Sequence, residues 1–420
     1  MLSIETIQKR YGQHMAVLIE ACRVHFGTST LASLNTLLER PDTNYAEIAL
    51  HSRLHRIRPV IFRILLQANC PEDFKARIKT ELHSITLNNF SIAKETERII
   101  QELAKIGVTA IPYKGVAFSR QFYGDISMRE SSDIDLIIDV ADLEKTFPFF
   151  EGDGFHAAMS MGEDYQSLGR TEFLHQNKDF CFDKMGKDGA PSFHVELHWE
   201  ITHPRFLAPE ILNQFDRTGI ESGNLITANC QLLQPAEHVR AICLHHMVHD
   251  GIEYIKTLLD LGQGLKKSSE LNQDETPSSA SEKLVLAKKM EAMNETYEIG
   301  AILKSIESLF GVQPNFSIAT TARTQAASEH IINYNLTSTV GRYQRHRMLS
   351  LINHYRRTVK NRILFIKDRS LQKTFIKQYW LNVVSPQQAE KEFIKLPEFL
   401  HFLYFIIRPI RIALRKKSDA

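Results

Sequence analysis

The stretch MRESSDIDLIID, residues 128–139, places two acids directly before an apolar run. Alternate side chains of a β-strand point to opposite faces, so Asp133 and Asp135 share one face and the isoleucine between them takes the other. Two carboxylates about 4 Å apart repel each other by about 4 kcal/mol at an effective dielectric constant of about 20. A cation between the carboxylates, or a proton on one of them, relieves that repulsion. The stretch therefore predicts a buried strand whose acidic face can bind Mg²⁺ or Mn²⁺, and a solvated turn is the alternative.

A second stretch of alternating polarity is HVELHW, residues 194–199. On a strand, His194, Glu196 and His198 share one face, opposite an apolar face. Glu196 can supply the third carboxylate of a two-metal site for phosphoryl transfer if this strand lies beside the acidic one. The alternatives are an exposed edge strand, or a zinc or iron site formed by this strand alone. The latter needs a bend, because its three ligands span about 13 Å at about 3.3 Å per residue.

Composition and charge favour a globular protein of two or three domains with one strongly basic end. The 420 residues are 43% hydrophobic and 24% charged, and no apolar window is long enough to predict a membrane span. From Arg342 onward, 18 Lys and Arg stand against 5 Asp and Glu. This region predicts an anionic partner, which could be nucleic acid, a membrane surface or the acidic body of the chain itself.

The five cysteines are scattered, and none has the spacing of a zinc knuckle. Neither a disulfide framework nor a signal peptide is expected, which favours a reducing compartment. The sequence thus predicts a cytoplasmic protein, with peripheral membrane contact as an option through the apolar and basic stretch 396–417.

Changes in the pattern of apolar and polar residues along the chain predict four regions. A helical region covers residues 1–105, and an α/β core, in which short strands alternate with helices, covers 106–230. A further helical region covers 231–330, with a Ser-rich polar loop at 266–283, and a basic helical region covers 331–420.

Taken together, these motifs resemble a bacterial family of uncharacterised nucleotidyltransferases, within the polymerase-beta-like nucleotidyltransferase superfamily. The resemblance covers most of the chain. It rests on Lys114-Gly115, Tyr123, Arg129, Asp133-Ile134-Asp135-Leu136 and Glu196-Leu197-His198-Trp199.

The resemblance implies an α/β (α+β) fold, in which a small mixed-sheet nucleotidyltransferase core is embedded in a largely helical protein. It implies transfer of a nucleoside monophosphate from a nucleoside triphosphate to an unknown hydroxyl acceptor, which could be a small molecule, a glycan precursor, a protein or RNA. The metal ligands and catalytic residues would be Asp133, Asp135 and Glu196. Contacts to the nucleotide would come from Lys114, Gly115, Arg129 and Ser132.

The chain departs from the usual pattern of the superfamily at the phosphate-binding turn. The superfamily usually has Gly-Ser there, and this chain has Lys114-Gly115. Glycine allows close backbone approach and lysine can balance phosphate charge, but the serine is missing. Arg129 could hold a phosphate or pair with an acid. A catalytically weak nucleotide-binding or regulatory module is therefore one alternative, and a nucleic-acid-binding protein acting through the basic end is another.

A later stretch, CLHHMVHDGIEYIKTLLD, carries polar residues at helical spacing. His245 and His249 are four residues apart, as zinc ligands on a helix are, although no third ligand is evident. The resemblance offers a different role, in which this helix lends polar residues to the cleft of the α/β core. Lys256 and Asp260 could belong to that cleft or form a surface ion pair.

Overall fold

A five-stranded mixed sheet within a largely helical chain confirms the expected fold class. The computed structural model describes residues 1–158, 161–186, 189, 191–204, 208–270, 277–343, 359–360, 362–384 and 394–414. In the part of the chain so described, no helix is long and apolar enough to cross a membrane. All five cysteines are buried and free.

Six helices precede the sheet: α1 (Ile4–Tyr11), α2 (Gln13–Phe26), α3 (Leu31–Leu38), α4 (Tyr45–Leu54), α5 (Arg58–Leu65) and α6 (Glu72–Lys105). The apolar spacing of residues 45–67 and 91–107 correctly predicts α4, α5 and the second half of α6. Helix α6 ends where Gly107 adopts a positive φ of 76°, a conformation that glycine tolerates without strain.

The sheet has the strand order β1-β2-β5-β4-β3. Its central pair, β2 and β5, is parallel, whereas the other neighbours run antiparallel. Its strands are β1 (Ile111–Pro112), β2 (Ile134–Ile137), β3 (Phe155–Ala157), β4 (Asp179–Met185) and β5 (Pro191–His198). Strand β3 was not predicted from the sequence, and a separate hairpin is formed by β6 (Glu221–Asn224) and β7 (Asn229–Leu232).

The helices between and after the strands are α7 (Gly115–Phe118), α8 (Leu143–Gly152), α9 (Met161–Leu168), α10 (Arg170–Gln176), α11 (Glu210–Asn213), α12 (Pro235–Leu244), α13 (Ile255–Glu270), α14 (Pro277–Thr296), α15 (Ile299–Phe310), α16 (Ala322–Tyr343), α17 (Arg369–Val384) and α18 (Tyr404–Leu414). Two π-helical turns, Ser119–Tyr123 and His245–His249, extend α7 and α12.

The polar stretch 266–283 differs from the predicted loop. Helix α13 continues to Glu270 and α14 begins at Pro277, while residues 271–276 lie outside the described part. Serine and lysine side chains are compatible with an exposed helix, so polar composition alone did not exclude one. Much of the basic region, including residues 344–358, 385–393 and 415–420, also lies outside the described residues.

The two faces of the sheet have different surroundings. Leu136 and Leu197 join an apolar core that also contains residues of α6 and α8. On the opposite face, Ile137 joins the larger core formed by the surrounding helices. The polar residues of β2 and β5 alternate with the buried leucines and therefore face the helical side of the sheet.

Candidate active site

The centre of the site is a pair of carboxylates on neighbouring parallel strands. Asp135 of β2 and Glu196 of β5 are register partners, so their side chains emerge side by side from one face. The strands of the two sequence motifs are thus adjacent, as the three-carboxylate hypothesis requires. The side chain of Asp135 is only 2% exposed, which makes its electrostatic environment largely that of the protein.

Asp135 is held by two basic side chains. The ammonium of Lys114 lies 3.0 Å from Oδ1, and Nε2 of His198 lies 2.9 Å from the same oxygen. Burial by itself raises the pKa of Asp135, but the Lys114 charge and the His198 hydrogen bond outweigh burial and lower the pKa below its usual range. Asp135 therefore stays ionised at neutral pH.

Glu196 lies within a cluster of donors on the same side of the sheet. Its Oε2 is 3.1 Å from His198 Nε2 and 3.6 Å from the Lys178 ammonium, and its Oε1 is 3.6 Å from His194 Nε2. Burial raises the pKa of Glu196, yet hydrogen bonds from the two histidines bring it well below the usual value. A carboxylate so strongly ionised suits cation binding better than proton uptake.

Asp133 is in a different state from the other two acids. It precedes β2 and is half-buried, and among the described residues no ion pair joins it to a base within 4.0 Å. Burial, followed by the charges of Asp135 and Glu196, raises its pKa. The site therefore carries an acid that lacks a matching cation, as expected beside a site for a divalent ion.

The donor set fits such an ion. Ligand atoms of Asp135, Glu196 and His198 lie within 4.8 Å of one another, and Asp133 stands next to them in sequence. Carboxylate oxygens suit Mg²⁺ and Mn²⁺, and an imidazole nitrogen suits Mn²⁺ and later transition ions.

The Lys114-Gly115 turn lies beside these acids. Both residues have positive φ, 56° and 35°, and the Lys114 N–H donates to His238 Nε2 of α12 at 3.3 Å. A side chain on Gly115 would meet Ser131 Oγ at 3.5 Å, so positive φ rather than lack of space favours glycine there. The Ser131 hydroxyl is buried and has no hydrogen-bond partner in the described structure. The predicted contact residue, Ser132, also lines the cleft, and its side chain is exposed.

Arg129 pairs with an acid, the second of the two roles considered for it. Its Nε lies 2.9 Å from Asp260 Oδ2, and both side chains are buried. Asp260 also accepts from the Tyr123 hydroxyl at 3.1 Å and lies 3.3 Å from His246 Nε2. The expectation of a surface ion pair between Lys256 and Asp260 is wrong, because Asp260 is buried against Arg129.

Lys256 belongs to the cleft instead. Its ammonium donates to the Glu130 carbonyl at 3.3 Å, and burial, followed by the nearby Arg129 charge, lowers its pKa to about 8. The Glu130 carboxylate points elsewhere and binds Arg58 through Nε at 3.0 Å and Nη2 at 2.7 Å. This ion pair explains an acid that had no apparent role in the sequence.

These groups line a cleft of about 560 Å³. The junction of α4 and α5 also lines this cleft, a role that was not predicted from the sequence. This junction supplies three arginines, Arg53, Arg56 and Arg58. Arg56 has a positive φ of 56° and lies over the Tyr254 ring, with 5.1 Å between the guanidinium carbon and the ring centroid. The available signal was the basic run HSRLHRIRP, residues 51–59, just before a proline that begins a helix.

The predicted histidine pair also lines the cleft, but in a different grouping. The rings of His245 and His249 stack at 4.8 Å within a π-helical turn. The residues whose ligand atoms converge are His245, His246 and Asp250. Burial lowers the pKa of His249 to about 3, so that ring is neutral at physiological pH. Asp250 is a candidate for the third ligand that the sequence interpretation lacked.

A metal site formed by strand β5 alone would need His194, Glu196 and His198 to converge on one ion. His194 Nδ1 is 2.6 Å from Asp183 of β4, and no convergent group in the described structure contains both strand histidines. Both rings nonetheless contact Glu196, because side chains on one strand face can lean toward each other.

The part of the chain that forms the cleft is similar to a known protein family. A family model described as an uncharacterised nucleotidyltransferase matches residues 41–288, which include both strands and the cleft arginines. No curated protein and no solved structure matches the chain.

Proposed function

This chain belongs to the family of uncharacterised nucleotidyltransferases, and from that premise we propose a metal-dependent transfer of a nucleoside monophosphate from a nucleoside triphosphate to a hydroxyl acceptor. The observation that carries the proposal is the side-by-side placement of Asp135 and Glu196 at the base of a basic cleft. Paired acids opposite arginines and lysines suit a triphosphate with its divalent ions.

In this proposal Asp133, Asp135 and Glu196 hold the metal, which is Mg²⁺ or Mn²⁺. When bound, the metal would polarise the reacting phosphoryl group and favour ionisation of the acceptor hydroxyl. The strongly ionised state of Glu196 supports a role in metal binding and acceptor orientation rather than as a general base.

The basic residues have a separate role, which is to neutralise and position the triphosphate. Lys114, Arg58 and Lys256 line the cleft next to the acids, and Arg56 lies at its edge. Since phosphoryl transfer requires little covalent help from the protein, positioning and charge neutralisation would account for most of the rate gain.

The test measures binding and transfer with the four labelled nucleoside triphosphates in the presence and absence of Mg²⁺ and Mn²⁺. The variants are Asp133→Asn/Asp135→Asn and the control Asp139→Asn. Asp139 lies just beyond the same strand, and its carboxylate is largely exposed. We expect metal-dependent binding or label transfer in the wild type and the control, and neither in the double variant. A folded wild type that binds no triphosphate at millimolar Mg²⁺ contradicts the proposal.

A catalytically weak nucleotide-binding module is the second candidate. The observation that favours it is the Lys114 ammonium on Asp135, which neutralises one of the acids without a metal. This candidate predicts nucleotide binding with no transfer to any acceptor and little loss of binding in Asp135→Asn. The first candidate predicts that this substitution abolishes metal-dependent binding.

For the basic C-terminal region we propose contact with an anionic membrane surface. The support is the exposure of Phe402, Phe405, Ile406 and Ile410 in and beside α18, where Arg411 and further bases follow in sequence. Co-sedimentation with vesicles of phosphatidylcholine, with and without phosphatidylserine, is the test. Binding only to the anionic vesicles, reduced in Phe405→Ser/Ile406→Ser, supports the contact. Binding to nucleic acid instead of vesicles contradicts it.

A further inference from the structure

We propose that His198 is itself a ligand of the catalytic metal, so that the site is a mixed nitrogen and oxygen site that prefers Mn²⁺ over Mg²⁺. The inference rests on the proposed function and specifies its metal. Neither the acid pair nor the family match assigns a role to this histidine.

The first support is distance. His198 Nε2 lies 2.9 Å from Asp135 Oδ1 and 3.1 Å from Glu196 Oε2. Two ligands about 2.1 Å from one ion, in adjacent positions of an octahedron, are about 3.0 Å apart. His198 Nε2 therefore already has the spacing of an adjacent ligand to each carboxylate oxygen, and the ligand atoms of the three residues lie within 4.8 Å of one another.

The second support is the surroundings of the other ring nitrogen. His198 Nδ1 is buried and has no hydrogen-bond partner in the described structure; it lies 3.6 Å from Asp179 Oδ2, and Asp179 is in turn bound by Lys178. Histidines that bind metals commonly direct their second nitrogen to a carboxylate, which fixes the tautomer and raises the basicity of the ligating nitrogen. In the proposed metal-bound site, Asp179 on the neighbouring strand β4 would become the acceptor for this unpartnered nitrogen.

The third support is rigidity. The His198 side chain is fully buried, and its ring packs edge-on against Tyr113 with 5.9 Å between centroids. Its backbone pairs with both β2 and β4, so neither the strand nor the ring is free to turn away from the acids. A ring held in this way is preorganised for binding.

The position of Asp133 adds a fourth point. In the described structure, the convergent group on β2 and β5 contains His198 and does not contain Asp133. His198 thus takes the third position of this group, and Asp133 remains for a second ion or for the nucleotide. Imidazole binds transition ions better than it binds Mg²⁺. A site with the His198 imidazole in place of the Asp133 carboxylate is therefore predicted to prefer Mn²⁺.

The experiment uses the full chain with Mn²⁺ and no nucleotide, and compares wild type, His198→Gln and His194→Gln. Pulsed electron paramagnetic resonance detects the ¹⁴N coupling of a directly bound imidazole, and competition with Mg²⁺ gives the relative affinity. His194 is the matched control, because it lies on the same strand face at 3.6 Å from Glu196. We expect the coupling in wild type and His194→Gln and its loss in His198→Gln, with the preference for Mn²⁺ falling by about tenfold or more.

Bound Mn²⁺ without nitrogen coupling in the wild type overturns the inference and leaves the proposed function intact. Coupling that disappears in His194→Gln but persists in His198→Gln also overturns it. If Mn²⁺ does not bind the wild type at all, the inference fails, and the label-transfer assay decides separately on the function. If His198→Gln does not fold, the variant His198→Asn takes its place in the same comparison. Coupling that is lost in His198→Asn and retained in His194→Gln then supports His198 as the ligand.

Discussion

Two buried ionic clusters contribute residues to the cleft, and they differ in charge balance. Around Asp260, a single carboxylate contacts Arg129, His246 and Tyr123. At the sheet, the carboxylates of Asp133, Asp135 and Glu196 lie close together. Burial, followed by the charges of the other two acids, raises the pKa of Asp133. The first cluster is balanced within the protein, whereas in the second no ion pair within 4.0 Å joins Asp133 to a base among the described residues. The comparison teaches that an unbalanced buried charge is a candidate for a functional site, whereas a balanced one is accounted for by its role in the fold.

The largest effect is expected in the balanced cluster. Asp260→Asn leaves the buried Arg129 guanidinium without its counter-charge and should lower the free energy of unfolding by about 3–5 kcal/mol. Urea denaturation followed by circular dichroism measures the change. The double variant Arg129→Met/Asp260→Asn should recover part of this loss, because it removes both charges. A loss below about 1 kcal/mol in Asp260→Asn would show that this cluster does not support the fold.

The unbalanced cluster should respond in the opposite way. Asp133→Asn removes a carboxylate whose ionisation the folded state disfavours, so the free energy of unfolding at neutral pH should stay constant or rise slightly. Nucleotidyl transfer should fall by at least about 100-fold, since a charge-stabilising group at the reacting centre is lost. Parallel denaturation and label-transfer assays measure the two quantities. A substantial loss of stability would place Asp133 among the structural acids instead.

A smaller effect is expected at the turn beside the unbalanced cluster. Ser131→Ala removes a buried hydroxyl that has no partner in the described structure and adjoins Gly115, so triphosphate affinity should fall about tenfold. Ser132→Ala is the control and should change the affinity by less than about threefold, because that side chain is exposed. Isothermal titration calorimetry gives both dissociation constants. The reverse order of effects would restore Ser132, the residue expected from the sequence, as the phosphate contact.

The smallest effect concerns pH. Burial and Arg129 lower the pKa of Lys256 to about 8, so its ammonium is present below that pH and lost above it. Triphosphate affinity should therefore weaken between pH 7.5 and pH 9, by about three- to tenfold. Lys256→Gln should bind more weakly at pH 7.5 and show a flatter profile. Affinity that is unchanged across this range in the wild type would remove Lys256 from the phosphate-binding surface.

The strands of the site could be predicted because alternation with a period of two is a local property. It assigns Asp135 and Glu196 to polar faces before any tertiary contact is known. The arginines of the α4–α5 junction could not be assigned in this way. Arg58 meets Glu130 across 72 positions of the chain, and Arg129 meets Asp260 across 131. Helical spacing had suggested Lys256 as the partner of Asp260, but burial beside an arginine determined the pairing instead.

The sequence by itself determined the acidic strand, the second strand with its central glutamate, the helical surroundings and, through the resemblance, the family. Those properties follow from local periodicity and motif chemistry, which are independent of distant parts of the chain. Only the tertiary structure decided that the Ser131 hydroxyl is buried without a partner while Ser132 is exposed, and that His198 contacts both Asp135 and Glu196. These contacts depend on strand register, on backbone dihedral angles and on the packing of helices that are far away in sequence. The spacing of residues in the sequence does not specify any of these three properties by itself.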